Sequence, residues 1–162
     1  MSVSLQREAF DVGKEIGALT AGRHDIGAVA SFVGLVREIN SAGGTLAGEG
    51  NPLSAMTLEH YPGMTEHALE EIVAEAHQRW KLLAVRVLHR FGRLLPGEAI
   101  VLVIVAGAHR GEAFAACEFI MDYLKTQAPF WKKEEGADAT AAARWVDARA
   151  SDDAAARRWN KQ

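Results

Sequence analysis

The run AIVLVIVAGA, residues 99–108, constrains this chain more than any other stretch. It is apolar on both faces, so as a strand it must be covered on both sides, which predicts a central strand. It is also too short to span a bilayer. The preceding segment LAVRVLHRFG, residues 83–92, alternates Val85, Val87, His89 and Phe91 against Arg86, Leu88 and Arg90. LLPGE then supplies turn chemistry, and the two runs are expected to pair as a hairpin.

The other elements follow from period and punctuation. REAFDVGKEIGALTAG reads as a short strand and then a short helix with Asp11 as N-cap, and DIGAVASFVGLVRE, residues 25–38, as a buried strand ending at Arg37 and Glu38. The glycine-rich NSAGGTLAGEGNP, residues 40–52, reads as a mobile surface loop. In SAMTLEHYP, Met56, Leu58 and His60 share one face of a strand that Pro62 ends. A helix follows, with Leu69, Ile72, Val73, Ala76 and Trp80 at helical spacing. Phe114, Cys117, Ile120, Met121 and Leu124 mark a second helix over Gly111–Thr126, ended by Pro129. RWVDAR and an Ala-rich helix from about Ser151 close the chain, with Asp152 and Asp153 suited to the helix N-terminus. With no repeat or linker, 162 residues predict one domain, 1–162. Strands with helices set between hairpins favour an α+β class, a mostly antiparallel sheet covered by helices on one face.

Composition removes several function classes. A net charge of -3 and a pI near 6.1 argue against a surface given over to nucleic acid, though a local basic patch is allowed. The N-terminal MSVSLQREAF lacks a signal-peptide core, so the expectation is a cytoplasmic protein with no membrane association. Cys117 is the only cysteine and sits mid-helix at an apolar position, which excludes an internal disulfide and favours an inert thiol. The histidine spacings give no metal-ligand pair, and neither a G-x-G-x-x-G, a Walker sequence nor a G-x-S-x-G elbow occurs. No metal and no cofactor is expected.

What remains is a set of cations. AGAHRGEAF puts His109 and Arg110 where the central strand gives way to a helix, and unpaired amides at a helix N-terminus attract anions. DYLKTQAPFWKKEE, residues 122–135, sets Lys125 and Lys132 on either side of a Pro-Phe-Trp corner, with Phe130 and Trp131 as candidate walls of a cavity. Arg37 ends another strand. Clustered, these five form an anion pocket in which crowding converts a lysine into a nucleophile or base. Taken singly, each has a bland reading: Arg110 solvated, His109 a cap, Lys125 serving the helix dipole, Lys132 solvated. Both sets of readings stand at this point.

The segments LEHYPGM (58–64), HRFGRLLPGE (89–98), AHR (108–110), FIMDYLKTQAPFWKKE (119–134) and RWVDAR (144–149) closely resemble the large, catalytic subunit of molybdopterin synthase, in family order from about Gly27 to Trp159. The resemblance implies an α/β hammerhead fold and a homodimer within a heterotetramer, each copy binding a small ubiquitin-like sulfur-carrier subunit. The carrier brings sulfur as a C-terminal thiocarboxylate, and two transfers turn cyclic pyranopterin monophosphate into the dithiolene of molybdopterin. Sulfur then arrives on the partner, in keeping with an inert Cys117.

By the same resemblance, Arg37, His109 and Arg110 bind phosphate and pterin, and Lys125 lies beside the carrier's C-terminus as acid, base or nucleophile. Lys132, with Lys133 and Glu134 beside it, is the second pocket lysine, and Arg149 reaches the pocket from one protomer or the other. The carrier's tail enters as an extended peptide along a channel that Phe130 and Trp131 help shape. The chain departs from the family where a lysine is common: Leu35 stands in Gly34-Leu35-Val36-Arg37. Two other classes remain in view, a single-stranded nucleic-acid or partner-binding module built on residues 125–133 and a Schiff-base lysine enzyme.

Overall fold

The computed structural model describes residues 2–38, 53–136, 144–146 and 150–161; the loop expected at 40–52 and Arg149 lie outside them. In chain order the elements are β1 (Val3–Gln6), α1 (Val12–Thr20), β2 (Ala28–Leu35), β3 (Leu53–His60), α2 (Met64–Arg79), β4 (Leu82–Arg90), β5 (Gly92–Leu94), β6 (Ala99–Gly107), α3 (Arg110–Gln127), β7 (Phe130–Gly136), β8 (Arg144–Val146), α4 (Ala150–Arg157) and a 3-10 turn (Arg158–Lys161). The strands form two four-stranded sheets, β1-β4-β6-β2 and β5-β3-β7-β8. Every pairing is antiparallel except β1 with β4.

The apolar run is central, as its composition requires. Val101, Val103 and Val105 of β6 face one way, into a core shared with Leu69, Ile72, Val73 and Ala76 of α2 and Ala113, Ala116 and Ile120 of α3. Leu102 and Ile104 face the other way, toward Val12, Ile16 and Leu19 of α1. Helices therefore cover both faces of this sheet rather than one. A strand with no polar face leaves no side for water, so α1 closes the second face. Asp11 caps α1 as expected, its Oδ1 accepting from Lys14 N–H at 3.0 Å. The strand ahead of α1 lies earlier than expected, at Val3–Gln6, because it is the β1 register with Val87–Arg90 that holds it.

The expected hairpin forms, with Val87 opposite Val103 and His89 opposite Val101. Between its arms β5 peels away and pairs with β3, carrying the chain into the second sheet. That sheet has its own small core of Val36, Met56, Leu58 and Leu94. β2 differs from the expected buried strand: it is the edge of its sheet, ends at Leu35, and leaves Val29, Phe32 and Leu35 exposed. Its alternation of small and β-branched residues reads alike for a central and an edge strand. α3 is as expected within a residue at each end and stops at the Ala128-Pro129 step.

The chain after Pro129 is also a strand rather than a corner. β7 pairs with β3, placing Phe130 opposite His60, Trp131 opposite Glu59 and Lys132 opposite Leu58. Because a strand alternates, Phe130 and Lys132 share a face while Trp131 points to the other. Phe130 and Trp131 thus cannot wall one cavity together, and that expectation is corrected.

Candidate functional site

Five cations were expected to converge, and the strand and helix lengths decide whether one chain can bring them together. β6 starts beside the end of β2, with Ala99 opposite Leu35, and finishes beside the start of β2, with Gly107 opposite Ala28. Arg37 follows the first of these ends, and His109 and Arg110 follow the second. Eight residues of strand at about 3.3 Å each keep the two groups roughly 26 Å apart. α3 packs on β6 and β2 and carries Lys125 back from Arg110 by about 22 Å, at 1.5 Å per residue. Within one chain Lys125 and Lys132 therefore sit toward the Arg37 end, and His109 and Arg110 at the other.

At the Arg37 end the side chains are organised by the second sheet. Val36 is buried against Leu58, and Leu58 is the cross-strand neighbour of Lys132, which brings the start of the Arg37 side chain and the face bearing Lys132 to the same region. Lys132 is ion-paired with Glu134, two residues along the same face of β7. Lys133 lies on the opposite face, across from Thr57 and Trp145. Lys125 closes the last turn of α3, where a cation suits the dipole, and its Nζ is 3.8 Å from Asp152 Oδ1 of α4. Its side chain is 51% exposed, so this pair holds it loosely and leaves it available to an incoming anion. Lys125 and Lys132 thus each face a carboxylate inside one chain, and one copy does not bring all five cations together.

At the far end the anion-attracting geometry is present. His109 is the N-cap of α3 in an extended conformation, and among the described residues no side-chain hydrogen bond caps the helix there. Both His109 and Arg110 are exposed. The approach of the chain is tight: a Cβ on Gly27 would stand 2.3 Å from the carbonyl oxygen of Ala108, so only glycine lets β2 begin against the turn that carries His109.

Two further groups bear on the chemistry. Cys117 is buried in the main core and its thiol is pushed up to about 11 by burial, then by Glu118, so the thiolate is scarce. Phe130 stacks on the buried His89 with ring centroids 3.9 Å apart. That leaves Trp131 as the exposed ring of this segment, which weakens the reading of residues 125–133 as a base-stacking platform.

Sequence reasoning passed over Asp152 as a partner of Lys125, since the α3–α4 packing that joins them has no local signal. It also passed over Arg90 and Glu98, whose contact at 3.3 Å across the hairpin was legible from the pairing of the two runs.

Comparison with known proteins gives a consistent picture. The family model described as MoaE protein matches residues 5–127. The molybdopterin synthase catalytic subunit of Ralstonia nicotianae is 58% identical over 158 residues, 98% of this chain and 84% of its own length. The solved structure of molybdopterin cofactor biosynthesis protein E from Burkholderia multivorans superposes with a TM-score of 0.78 at 52% identity, covering 98% of this chain and 96% of that one. A protein–protein complex of subunits 1 and 2 of the molybdopterin-converting factor from Helicobacter pylori gives a TM-score of 0.69 at 20% identity, covering 93% and 92%, a likeness of fold.

Proposed function

The chain belongs to the MoaE protein family, and from that premise we propose that it is the catalytic subunit of a molybdopterin synthase, a cytoplasmic sulfurtransferase of molybdenum cofactor biosynthesis. It takes sulfur from the C-terminal thiocarboxylate of a small ubiquitin-like carrier subunit and places it on cyclic pyranopterin monophosphate, twice, to form the dithiolene. A substrate phosphate and a thiocarboxylate are both anions, so the site needs fixed cations aimed at both. Lys125, exposed at the end of α3, meets the carrier's terminus as acid, base or nucleophile, and Lys132, set by β7 and Glu134, meets the pterin. Arg37 binds the phosphate. Arg149 joins the polar lining by the family resemblance, whereas Lys133, on the opposite face of β7 from Lys132, stands outside that pocket.

The observation that carries the quaternary part of this reading is the separation of Arg37 from His109 and Arg110 along β6. A second copy removes the separation. β2 is an edge strand with Val29, Phe32 and Leu35 exposed, and among the described residues no strand pairs with its outer side. Two β2 edges paired antiparallel about a two-fold axis set the Leu35 end of one beside the Ala28 end of the other. His109 and Arg110 of one copy then enter the pocket holding Arg37, Lys125 and Lys132 of its mate, twice per homodimer. The heterotetramer adds one carrier to each pocket.

The test is direct reconstitution. The purified protein, a thiocarboxylated carrier and cyclic pyranopterin monophosphate should yield the dithiolene product, and no product ends the claim. Lys125→Ala should reduce turnover at least a hundredfold with an unchanged circular dichroism spectrum. Full activity in that variant removes the role given to Lys125.

A further inference from the structure

Arg37 leaves β2 at an irregularity: Gly34 pairs with Val101 but Leu35 with Ala99, so Ile100 is skipped and the strand departs from its ladder. Past that point one residue, Val36, anchors the chain. Its N–H donates to the carbonyl of Glu98 at 2.9 Å, and its carbonyl accepts from Gly97 N–H at 2.8 Å. Its side chain is buried in the second core. The exit of Arg37 is therefore only as well defined as the Leu95–Glu98 turn on which Val36 rests.

That turn is held by a buried guanidinium paired with a partly exposed carboxylate. Glu98 Oε2 accepts from Leu95 N–H across the turn at 2.6 Å, while Oε1 accepts from both Nη1 and Nη2 of Arg90 at 3.3 Å. Arg90 is 7% exposed and also donates from Nη1 to the carbonyl of Ala99 and from Nε to that of Arg7, both at 3.0 Å. Gly97, at φ +86, takes the left-handed conformation that lets its N–H turn toward Val36. The carboxyl of Glu98 is held below its ordinary range by the Leu95 amide first and by Arg90 as well, so it is ionised in this arrangement.

We propose that the Arg90–Glu98 pair is a positioning device for substrate binding: through the turn at Leu95–Glu98 and the reciprocal backbone bonds to Val36, it fixes the direction in which Arg37 reaches the anionic substrate. The chain of connection is short: Arg90 to the Glu98 carboxylate, Glu98 and Gly97 backbone to Val36, Val36 to Arg37. This inference rests on the reading that Arg37 binds the phosphate of cyclic pyranopterin monophosphate. It adds two residues that do not themselves touch substrate.

The experiment is a double-mutant cycle read as KM for cyclic pyranopterin monophosphate and kcat, in the reconstituted synthase with saturating thiocarboxylated carrier. Arg37→Ala should raise KM by about tenfold or more, and Glu98→Ala by a similar factor with kcat changed less than about threefold. The double variant should match Arg37→Ala alone, because once the guanidinium is gone there is nothing left to aim. Glu98→Gln, which keeps an acceptor for Leu95 N–H, should recover part of the loss. If Arg37→Ala raises KM while Glu98→Ala does not, or the two effects multiply, the positioning role is overturned and the reading of Arg37 stands. If Arg37→Ala leaves KM unchanged, both are overturned. Should Glu98→Ala fail to fold, the cycle with Glu98→Gln decides by the same criterion.

Discussion

His89 shows how far one side chain's chemistry is set by its surroundings. It lies on β4 at the junction of the two sheets, stacked on Phe130, with its Nδ1–H donating to the carbonyl of Arg90 at 2.8 Å. Burial drives its pKa down from 6.5 to about 4, the Arg90 carbonyl opposing this and His60 adding to it. A depressed folded-state pKa means that the unfolded chain binds the proton first. The stability His89 contributes is thus complete above about pH 6.5 and is lost as pH falls from there toward 4, on the order of 3 kcal/mol over the window. Thermal unfolding followed from pH 7 to 4 should show Tm falling in the wild type and falling less steeply in His89→Phe. Parallel slopes would mean that His89 is not the buried base described. Cys117 makes the complementary case, since a thiol raised to about 11 inside the core is a packing residue. Cys117→Ala should keep sulfur transfer within about twofold of wild type at a cost of about 1–2 kcal/mol in unfolding free energy. A collapse of activity with the fold intact would place the cysteine in the reaction.

At the scale of elements, the edge strand β2 and the helix α3 share the work of positioning the residues of the proposed site. β2 carries Arg37 past one end while α3 begins with Arg110 at the other, and no bend among the described residues brings the two ends together. The proposed pairing of two β2 edges makes a quantitative prediction by mixing. Lys125→Ala and Arg110→Ala should each be nearly inactive as homodimers. Unfolded together and refolded, they should recover roughly a quarter of wild-type activity, because half of randomly assorted dimers are hybrids and each hybrid has one intact pocket. A pocket formed within one chain recovers nothing on mixing. Phe32→Glu, on the exposed edge, should shift the protein from dimer to monomer in sedimentation velocity, and activity should fall with it. A dimer that survives this change uses another surface.

Across the whole molecule the two sheets differ in how firmly they are held. The first is sandwiched between α1 and the α2–α3 layer, with Trp159 of the closing turn packed edge-on against Trp80 and Phe119. The second rests on Val36, Met56, Leu58 and Leu94. Hydrogen exchange should therefore find β6 amides opening only with global unfolding and β3 and β7 amides opening earlier, by a few kcal/mol. Equal protection in both sheets would contradict two cores of unequal depth. Phe119→Ala, by contrast, should lower the global stability by about 3–5 kcal/mol.

The sequence by itself determined the central strand at 99–107, the hairpin, the amphipathic α2, the Asp11 cap, the Pro129 stop and the burial of Cys117, because each depends on local period, a fixed proline φ or a single burial. The quoted motifs were enough to name the family. Tertiary structure alone decided that β2 is an edge, that a second sheet forms, that helices lie on both faces of the first, and that Phe130 and Trp131 part to opposite faces. It also decided that Lys125 meets Asp152 and that Arg37 stands a strand's length from Arg110. The physical reason is that a sequence specifies which face of an element is apolar but not which neighbour covers it. Distances between the ends of rigid elements exist only once those neighbours are chosen.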